Sequence, residues 1–331
     1  MTALLASIPS PHSGVLHLGP VPLRMYGLML LVGIALCVWL TKRRWVARGG
    51  QADLVYEVAL WGVLAGIVGA RLYHDVTSWN QDQLLGLPPG PHPWWGAFAV
   101  WKGGLGIWGG ILFGVAAGAL IVRRGLRNEV RRLEEESAQT QGEGQRALAA
   151  RIEQVKQLGI RHMLDAAAPG LLLAQGVGRW GNYWNQELFG KATTLPWALK
   201  IDYNHCPDSD KDLANSTCNL TYHPTFLYEF LWDLSGVGLL LLLDRRIRFR
   251  PPALFALYVS FYTFGRFFEE LLRIDPSGHF LGLRVNAWVS LVVFVASTGF
   301  FVWWQIWQPR KKRKAESGPA RPAMAVPRGR R

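Results

Sequence analysis

The sequence is poor in charged residues, poorest in acidic ones, and has almost no cysteine. Only 18% of its 331 residues are Asp, Glu, Lys or Arg, and 36 basic residues outnumber 23 acidic ones to give a formal charge of +13. Half of the residues are hydrophobic and 16 are Trp, which excludes a disordered or fibrous chain. The hydrophobic residues form runs of roughly 18 to 25, the length that crosses about 30 Å of hydrocarbon. The composition therefore predicts a polytopic membrane protein.

Other common features are also missing. No group of Cys and His has the spacing of metal ligands, which argues against a metal site. The first 22 residues have no basic segment of the kind that opens a signal peptide, so we expect no cleavage. A glycine-rich run at 102–110 follows no strand and lacks the Gly-Lys-Ser/Thr of a phosphate-binding loop. Within a membrane, this run indicates either close helix packing or a broken helix beside a cavity.

We predict an all-α fold with seven transmembrane helices, at 23–40, 54–72, 98–122, 163–183, 226–243, 253–272 and 285–307. With the N-terminus outside, the cytoplasmic segments contain 26 Lys and Arg residues and the outside segments contain six. This asymmetry predicts an outside N-terminus and a cytoplasmic C-terminus. The positive charge then anchors the protein to anionic lipid, and nucleic-acid binding is the weaker interpretation.

The spans divide the chain into a catalytic membrane domain at 1–308 and a basic, disordered cytoplasmic tail at 309–331. A cytoplasmic insert at 123–161 is expected to form two exposed helices broken near Gly142 and Gly144. An outside loop at 185–224 contains Cys206 and Cys218, which could form a disulfide in an oxidising compartment.

A polar stripe ends the fourth predicted span. Arg179, Asn182 and Gln186 or Glu187 follow one another at helical offsets. A guanidinium group matches the geometry of a phosphodiester, and Asn182 can donate to the same anion. The alternative is a structural ion pair between Arg179 and Glu187.

A second stripe, on the sixth span, consists of Tyr262, Arg266, Glu270 and Arg273. Its two cations and one carboxylate leave positive charge that a lipid phosphate could neutralise. An ordinary ion pair between Arg266 and Glu270 is the alternative.

The start of the fifth span carries a third polar element. Pro224 suits the first helical position, so His223 is either a cap or a site residue. Glu229 enters the membrane with no basic residue near it in sequence, so its partner must lie on another helix.

Together these segments resemble the prolipoprotein diacylglyceryl transferase family. The resemblance extends over most of the chain and is most specific at the Gly-Arg-x-Gly-Asn signature of 178–182, followed by Glu187. The other matching segments are 24–29, 69–72, the glycine-rich run, 223–229 and 265–273.

The resemblance implies a multi-pass enzyme of the bacterial plasma (inner) membrane. It would transfer the diacylglyceryl group of phosphatidylglycerol to the lipobox cysteine in the signal peptide of a preprolipoprotein, and release glycerol phosphate. No metal or other cofactor is expected, because the lipid phosphodiester supplies the energy. The alternative function is a membrane lipid or anion transporter or binding protein, although the two halves show no matched broken segments.

The resemblance also implies roles for individual residues. Arg179 and Arg266 would bind the phosphate and stabilise the leaving group, with Glu187 and Glu270 as further catalytic residues. Asn182 and Glu187 would orient Arg179 and the headgroup, and Glu270 would position Arg266. The remaining candidates for substrate binding are Tyr26, Tyr262, Arg273 and His223.

One position departs from the family. The family commonly has a His before the last two glycines of the glycine-rich run, often assigned as the base for the thiol, and this chain has Trp108. An indole donates a hydrogen bond but cannot accept a proton. Either His223, Glu187 or Tyr26 takes this role, or the arginines alone lower the thiol pKa sufficiently.

Overall fold

A computed structural model describes residues 7–11, 13–19, 21–77 and 104–307. The beginning of the predicted third span, with Lys102, and the tail at 309–331 lie outside these residues. Within the described ranges the chain forms eight α-helices: α1 (Met25–Val46), α2 (Ala52–Thr77), α3 (Ile107–Gln139), α4 (Glu143–Gln157), α5 (Ile160–Asn185), α6 (Thr225–Arg246), α7 (Ala253–Leu272) and α8 (Val285–Val302), which continues as a π-helical turn over Trp303–Trp307.

The described residues also form three short antiparallel hairpins and two 3₁₀ turns, at Tyr203–His205 and Asp208–Asp210. The hairpins are β1 (Val15–Leu18) with β2 (Val21–Arg24), β3 (Lys211–Asp212) with β4 (Thr217–Cys218), and β5 (His279–Phe280) with β6 (Leu283–Arg284). The mainly helical fold is confirmed.

Among the described residues, five helices are long and apolar enough to cross a membrane, namely α1, α2, α3, α6 and the segment Val285–Trp307. The chain is therefore a multi-pass membrane protein. Helices α5 and α7 coincide with the other two predicted spans and carry the two polar stripes. Arg179 lies in α5, and Arg266, Glu269 and Glu270 lie in the C-terminal turns of α7.

Glycines let neighbouring helices approach closely. A Cβ atom on Gly109 of α3 would lie 2.1 Å from the carbonyl oxygen of Gly69 on α2, and a Cβ on Gly69 would lie 2.5 Å from that of Gly109. On the α1–α5 pair, a Cβ on Gly170 would lie 2.9 Å from the carbonyl oxygen of Cys37. Within α3, Gly109 of the glycine-rich run therefore serves close helix packing, while residues 104–106 of the run precede the helix.

The insert predicted at 123–161 differs from a solvated loop. Helix α3 continues unbroken to Gln139, and α4 begins at Glu143, so the break falls where Gly142 predicted it. The insert packs against the ends of α1, α2 and α5 through one hydrophobic core. This core contains Trp45, Leu54, Val55, Val122, Leu126, Leu133, Ile152, Val155, Met163 and Ala166. Its amphipathic helices are therefore part of the folded bundle.

The loop after α5 folds over the C-terminal end of α7. Cys206 and Cys218 are joined by a disulfide, as the shared outside loop suggested. The Lys191 amide donates to the carbonyl oxygen of Leu272 at 2.8 Å, and Gly190 pairs with Arg273. These bonds hold the loop against the end of α7, beside the polar stripe of that helix.

Candidate active site

Glu229 joins the two polar stripes that the sequence placed on separate helices. It lies in the second turn of α6, and each of its carboxylate oxygens contacts a different guanidinium group. Oε2 contacts Nε of Arg179 on α5, and Oε1 contacts Nη1 of Arg266 on α7. The Glu229 side chain is only 8% exposed. The expectation that its partner lies on another helix is confirmed, and it has two partners.

The network continues along α7 toward the C-terminal end of that helix. Arg266 also contacts Glu269, at 3.0 Å, and Glu270. Glu270 is fully buried and lies 3.3 Å from Nη1 of Arg273 and 2.9 Å from Nε of Arg284. The contact that was expected to position Arg266 is therefore present, and Glu270 also fixes two further guanidinium groups.

Asp275 closes the network just beyond α7. It accepts hydrogen bonds from Nε of Arg273 at 2.7 Å and from Nη2 of Arg284 at 2.8 Å. Partial burial opposes its negative charge, but the hydrogen bonds from the two guanidinium groups outweigh this effect and hold the pKa of Asp275 below its usual range. Asp275 is thus an anionic end to the network.

The prediction of uncompensated positive charge is wrong. Among the described residues, four guanidinium groups meet four carboxylates, because Glu229, Glu269 and Asp275 add to Glu270. The stripe on α7 could not reveal Glu229, which comes from another helix. The network is nevertheless accessible, since the side chains of Arg179 and Arg266 are 19% and 15% exposed.

Two further polar side chains lie beside the bridging carboxylate. Nη2 of Arg179 donates to the hydroxyl of Tyr262 at 3.3 Å. Asp233 is one helical turn beyond Glu229 and is buried against α5, where a Cβ on Gly176 would lie 3.1 Å from its own Cβ. The spacing of four residues between Glu229 and Asp233 is the sequence signal that could have placed both in the site.

The sequence profile of a family described as prolipoprotein diacylglyceryl transferase matches residues 13–133 and 145–303. The chain belongs to this family. Each matched segment contributes helices to the bundle, and the whole charged network lies in the second segment. The unmatched residues between them contain the turn that joins α3 to α4.

Relatives of the prolipoprotein diacylglyceryl transferase family match nearly the whole chain. In Streptomyces coelicolor, phosphatidylglycerol-prolipoprotein diacylglyceryl transferase 2 is 44% identical over 90% of this chain and 81% of its own length. Transferase 1 of the same organism is 42% identical over 95% of this chain and 78% of its own. The Mycobacteroides abscessus enzyme is 41% identical over 90% and 78%.

Glu187 does not pair with Arg179, in contrast to both sequence interpretations. Its carboxylate accepts a hydrogen bond from Asn185 Nδ2 at 3.1 Å. It lines an outer cavity of about 570 Å³ with Ser13, Gly14, Trp184, Asn185, Gln186, Asp202, Asn204 and His205. The helix ends at Asn185, so the stripe predicted from Arg179 to Glu187 breaks before its last member.

Three other candidate residues make their contacts outside the charged network. Asn182 is buried one turn after Arg179, and its carbonyl accepts the Glu187 amide at 3.1 Å. The Tyr26 ring packs on α5 where a Cβ on Gly181 would lie 2.6 Å from it. Nδ1 of His223 lies 3.1 Å from the hydroxyl of Tyr228.

Two residues near the glycine-rich run form part of a different region. Trp108 is in the first turn of α3 and is 51% exposed. Arg71 on α2 is buried, pairs with Asp75 at 3.2 Å, and donates to the carbonyl oxygen of Gly104 at 3.1 Å. Arg71 is therefore held by α2 and by the segment that precedes α3.

Proposed function

We propose that this chain transfers the diacylglyceryl group of phosphatidylglycerol to the lipobox cysteine in the signal peptide of a preprolipoprotein. The thiol sulfur becomes a thioether, and glycerol phosphate leaves. This is the first step of bacterial lipoprotein maturation. The observation that carries the proposal is that Arg179 and Arg266 converge from two helices on one carboxylate, in a chain whose relatives are named for this reaction.

The convergent arginines suit the chemistry of the departing phosphate. A guanidinium group offers planar pairs of donors that match phosphate oxygens. Charge grows on the phosphate as its bond to the glycerol carbon breaks, and fixed donors stabilise that charge. We assign phosphate binding and leaving-group stabilisation to Arg179 and Arg266, and the positioning of Arg266 to Glu270, which contacts it.

The surrounding residues are assigned to substrate binding. Asn182 and Tyr262 lie beside Arg179 and would contact the headgroup. Tyr26, Arg273 and His223 would line the path to it. Glu187 is assigned to the polar part of a substrate in the outer cavity, because Asn185 is its partner in the structure.

The proposed topology has seven spans, with α5 and α7 as the two that carry the site. The N-terminus lies outside, the C-terminal tail lies in the cytoplasm, and the membrane is the bacterial inner membrane. The excess of Lys and Arg in the cytoplasmic segments supports this orientation. The disulfide between Cys206 and Cys218 supports an outside position for the loop. A role as a transporter is not favoured, because the relatives are named as transferases.

The test is transfer by the purified protein in vesicles of phosphatidylglycerol. A peptide with a lipobox cysteine should gain the mass of one diacylglyceryl group, while a peptide with alanine in place of that cysteine should not. Vesicles of phosphatidylcholine alone should yield no product. Absence of the adduct with the cysteine peptide and phosphatidylglycerol would refute the proposed function.

A further inference from the structure

Glu229 occupies the place that the proposed function reserves for the lipid phosphate. Its two oxygens contact Arg179 and Arg266, so it uses donors from both guanidinium groups. A phosphate that binds between the same groups needs those donors. Entry of phosphatidylglycerol therefore requires an exchange, in which the phosphate takes the guanidinium groups and Glu229 gives them up.

The released carboxylate would lie in surroundings that oppose its negative charge. Asp233 is one turn away on α6, and Glu269 and Glu270 lie on the other side of Arg266. Tyr262 is the neutral group that contacts Arg179. A buried carboxylate that has lost its cations and has other carboxylates nearby accepts a proton readily.

We propose that Glu229 is the base that deprotonates the lipobox cysteine, and that binding of phosphatidylglycerol activates it. This inference rests on the proposed function. Glu229 takes the thiol proton, and the sulfur attacks the glycerol carbon that carries the phosphate. The carbon–oxygen bond breaks and its electron pair leaves with the phosphate oxygen. The proton then passes from Glu229 to the phosphate, glycerol phosphate departs, and the carboxylate returns to the two arginines.

The residues that the sequence suggested for this role are engaged elsewhere. Glu187 bonds to Asn185, His223 to Tyr228, and Tyr26 packs on Gly181. Within the described ranges, no hydrogen bond or ion pair joins these three to either arginine. Glu229 contacts both arginines, so a single carboxylate links lipid binding to thiol activation.

This arrangement predicts an order of events. While no lipid is bound, Glu229 is held by two cations and does not take a proton from a thiol. The cysteine is activated only when the phosphate has replaced the carboxylate, so the nucleophile and its target become competent together. A reactive thiolate is thereby confined to the complex with both substrates.

The test compares two nucleophiles in the variant Glu229→Gln, which keeps the shape of the side chain but accepts no proton. With a lipobox cysteine peptide, transfer should fall about 100-fold or more, the usual contribution of a general base. A selenocysteine peptide needs no base, because a selenol is already ionised at neutral pH. Transfer to this peptide should therefore stay close to the wild-type rate.

A matched control removes a buried carboxylate far from the site. Glu129 on α3 pairs with Arg151 at 2.8 Å in the cytoplasmic part of the bundle, so Glu129→Gln should leave the rates with both peptides unchanged. Native mass spectrometry should show that Glu229→Gln retains phosphatidylglycerol at least as well as the wild type, because its competitor for the arginines is neutral.

Several results would overturn the inference. An equal loss with both peptides would make Glu229 a structural residue, and an unchanged rate with cysteine would exclude it as the base. Weaker lipid binding would contradict the exchange. If Glu229→Gln does not fold, Glu229→Asp replaces it, and its deficit should be greater with cysteine than with selenocysteine. Failure of the wild type to modify the cysteine peptide would instead refute the proposed function.

Discussion

Two networks of arginines, one near each end of the bundle, differ in their hydrogen-bond acceptors. In the proposed topology they are an inner and an outer network. In the inner network, Arg44 donates to the carbonyl oxygens of Ala166 and Asp165, both at 2.9 Å, and Arg48 donates to that of Arg44 at 3.0 Å. Asp244 forms ion pairs with both arginines, at 3.3 and 3.2 Å. Backbone carbonyl groups cannot leave without unfolding a helix end, so this network is a fixed clamp.

The outer network is built from side chains. Arg179 and Arg266 contact Glu229, Glu269, Glu270 and the Tyr262 hydroxyl. A carboxylate can rotate away and be replaced by another anion, whereas a helix carbonyl cannot. The comparison indicates that the acceptor, more than the burial of the arginine, distinguishes the network that we propose as a binding site from a structural clamp.

The largest expected effect is on transfer when an outer arginine loses its charge. Arg179→Gln and Arg266→Gln should each reduce transfer about 10²–10³-fold, the usual cost of removing one preorganised donor to a developing oxyanion. Thermal stability should fall less in Arg179→Gln, where Glu229 keeps Arg266, than in Arg266→Gln, which takes the arginine away from Glu269 as well. The measurement is peptide lipidation by mass spectrometry, alongside melting curves.

Arg151→Gln is the matched control, since Arg151 pairs with Glu129 away from the site. An equal loss of transfer in this variant would show that any paired arginine matters. Near-normal transfer in both Arg179→Gln and Arg266→Gln would instead indicate that the outer network has only a structural role, like the inner one.

In the inner network we expect a loss of stability without a loss of transfer. Asp244→Ala leaves Arg44 and Arg48 without their shared carboxylate, which should lower the stability by about 3 kcal/mol. Turnover per folded molecule should remain unchanged. Thermal unfolding in detergent, with activity normalised to the folded fraction, measures both quantities. Lost turnover at unchanged stability would contradict the distinction between the networks.

The smallest effect concerns Asp275 at the outer edge, which is 25% exposed. Because its pKa is lowered in the folded state, its stabilisation is complete above the unfolded pKa of about 3.9 and is lost as the pH falls through the lowered value. At neutral pH, Asp275→Asn should unfold at a lower temperature than the wild type, because its free energy of unfolding is smaller by less than about 1 kcal/mol. Melting curves between neutral and acidic pH should show this difference shrinking. A constant difference would indicate a role that does not depend on charge.

Much of the fold could be predicted because hydrophobic length and helical offsets are local properties. A described helix lies at each of the seven predicted spans, beginning at Ile107 in the third, and five of these helices are long and apolar enough to cross a membrane. Gly142 marks the break in the insert. The packing of the insert was missed, because its apolar positions show a hydrophobic face without showing what covers that face. Leu126 and Val155 find their partners in α1, α2 and α5.

The sequence predicted which residues belong to the candidate site better than it predicted which of them contact one another. The sequence singled out Arg179, Arg266, Glu270 and Glu229, and the structure brings them together. Spacing along one helix predicts pairs such as Arg266 with Glu270. It cannot predict that Glu229 would bridge two other helices, because that contact depends on how α5, α6 and α7 pack.

Because α3 is long and unbroken, its C-terminal end is a suitable place to attach a rigid fusion partner. At about 1.5 Å per residue, the 33 residues of α3 extend well past a hydrocarbon layer of about 30 Å, and α4 braces the projecting end. The connection at Thr140–Gly142 lies in the stretch that the family profile leaves unmatched. A rigid fusion partner spliced there would supply a landmark for particle alignment in electron microscopy, at a distance from the chemistry at the opposite end.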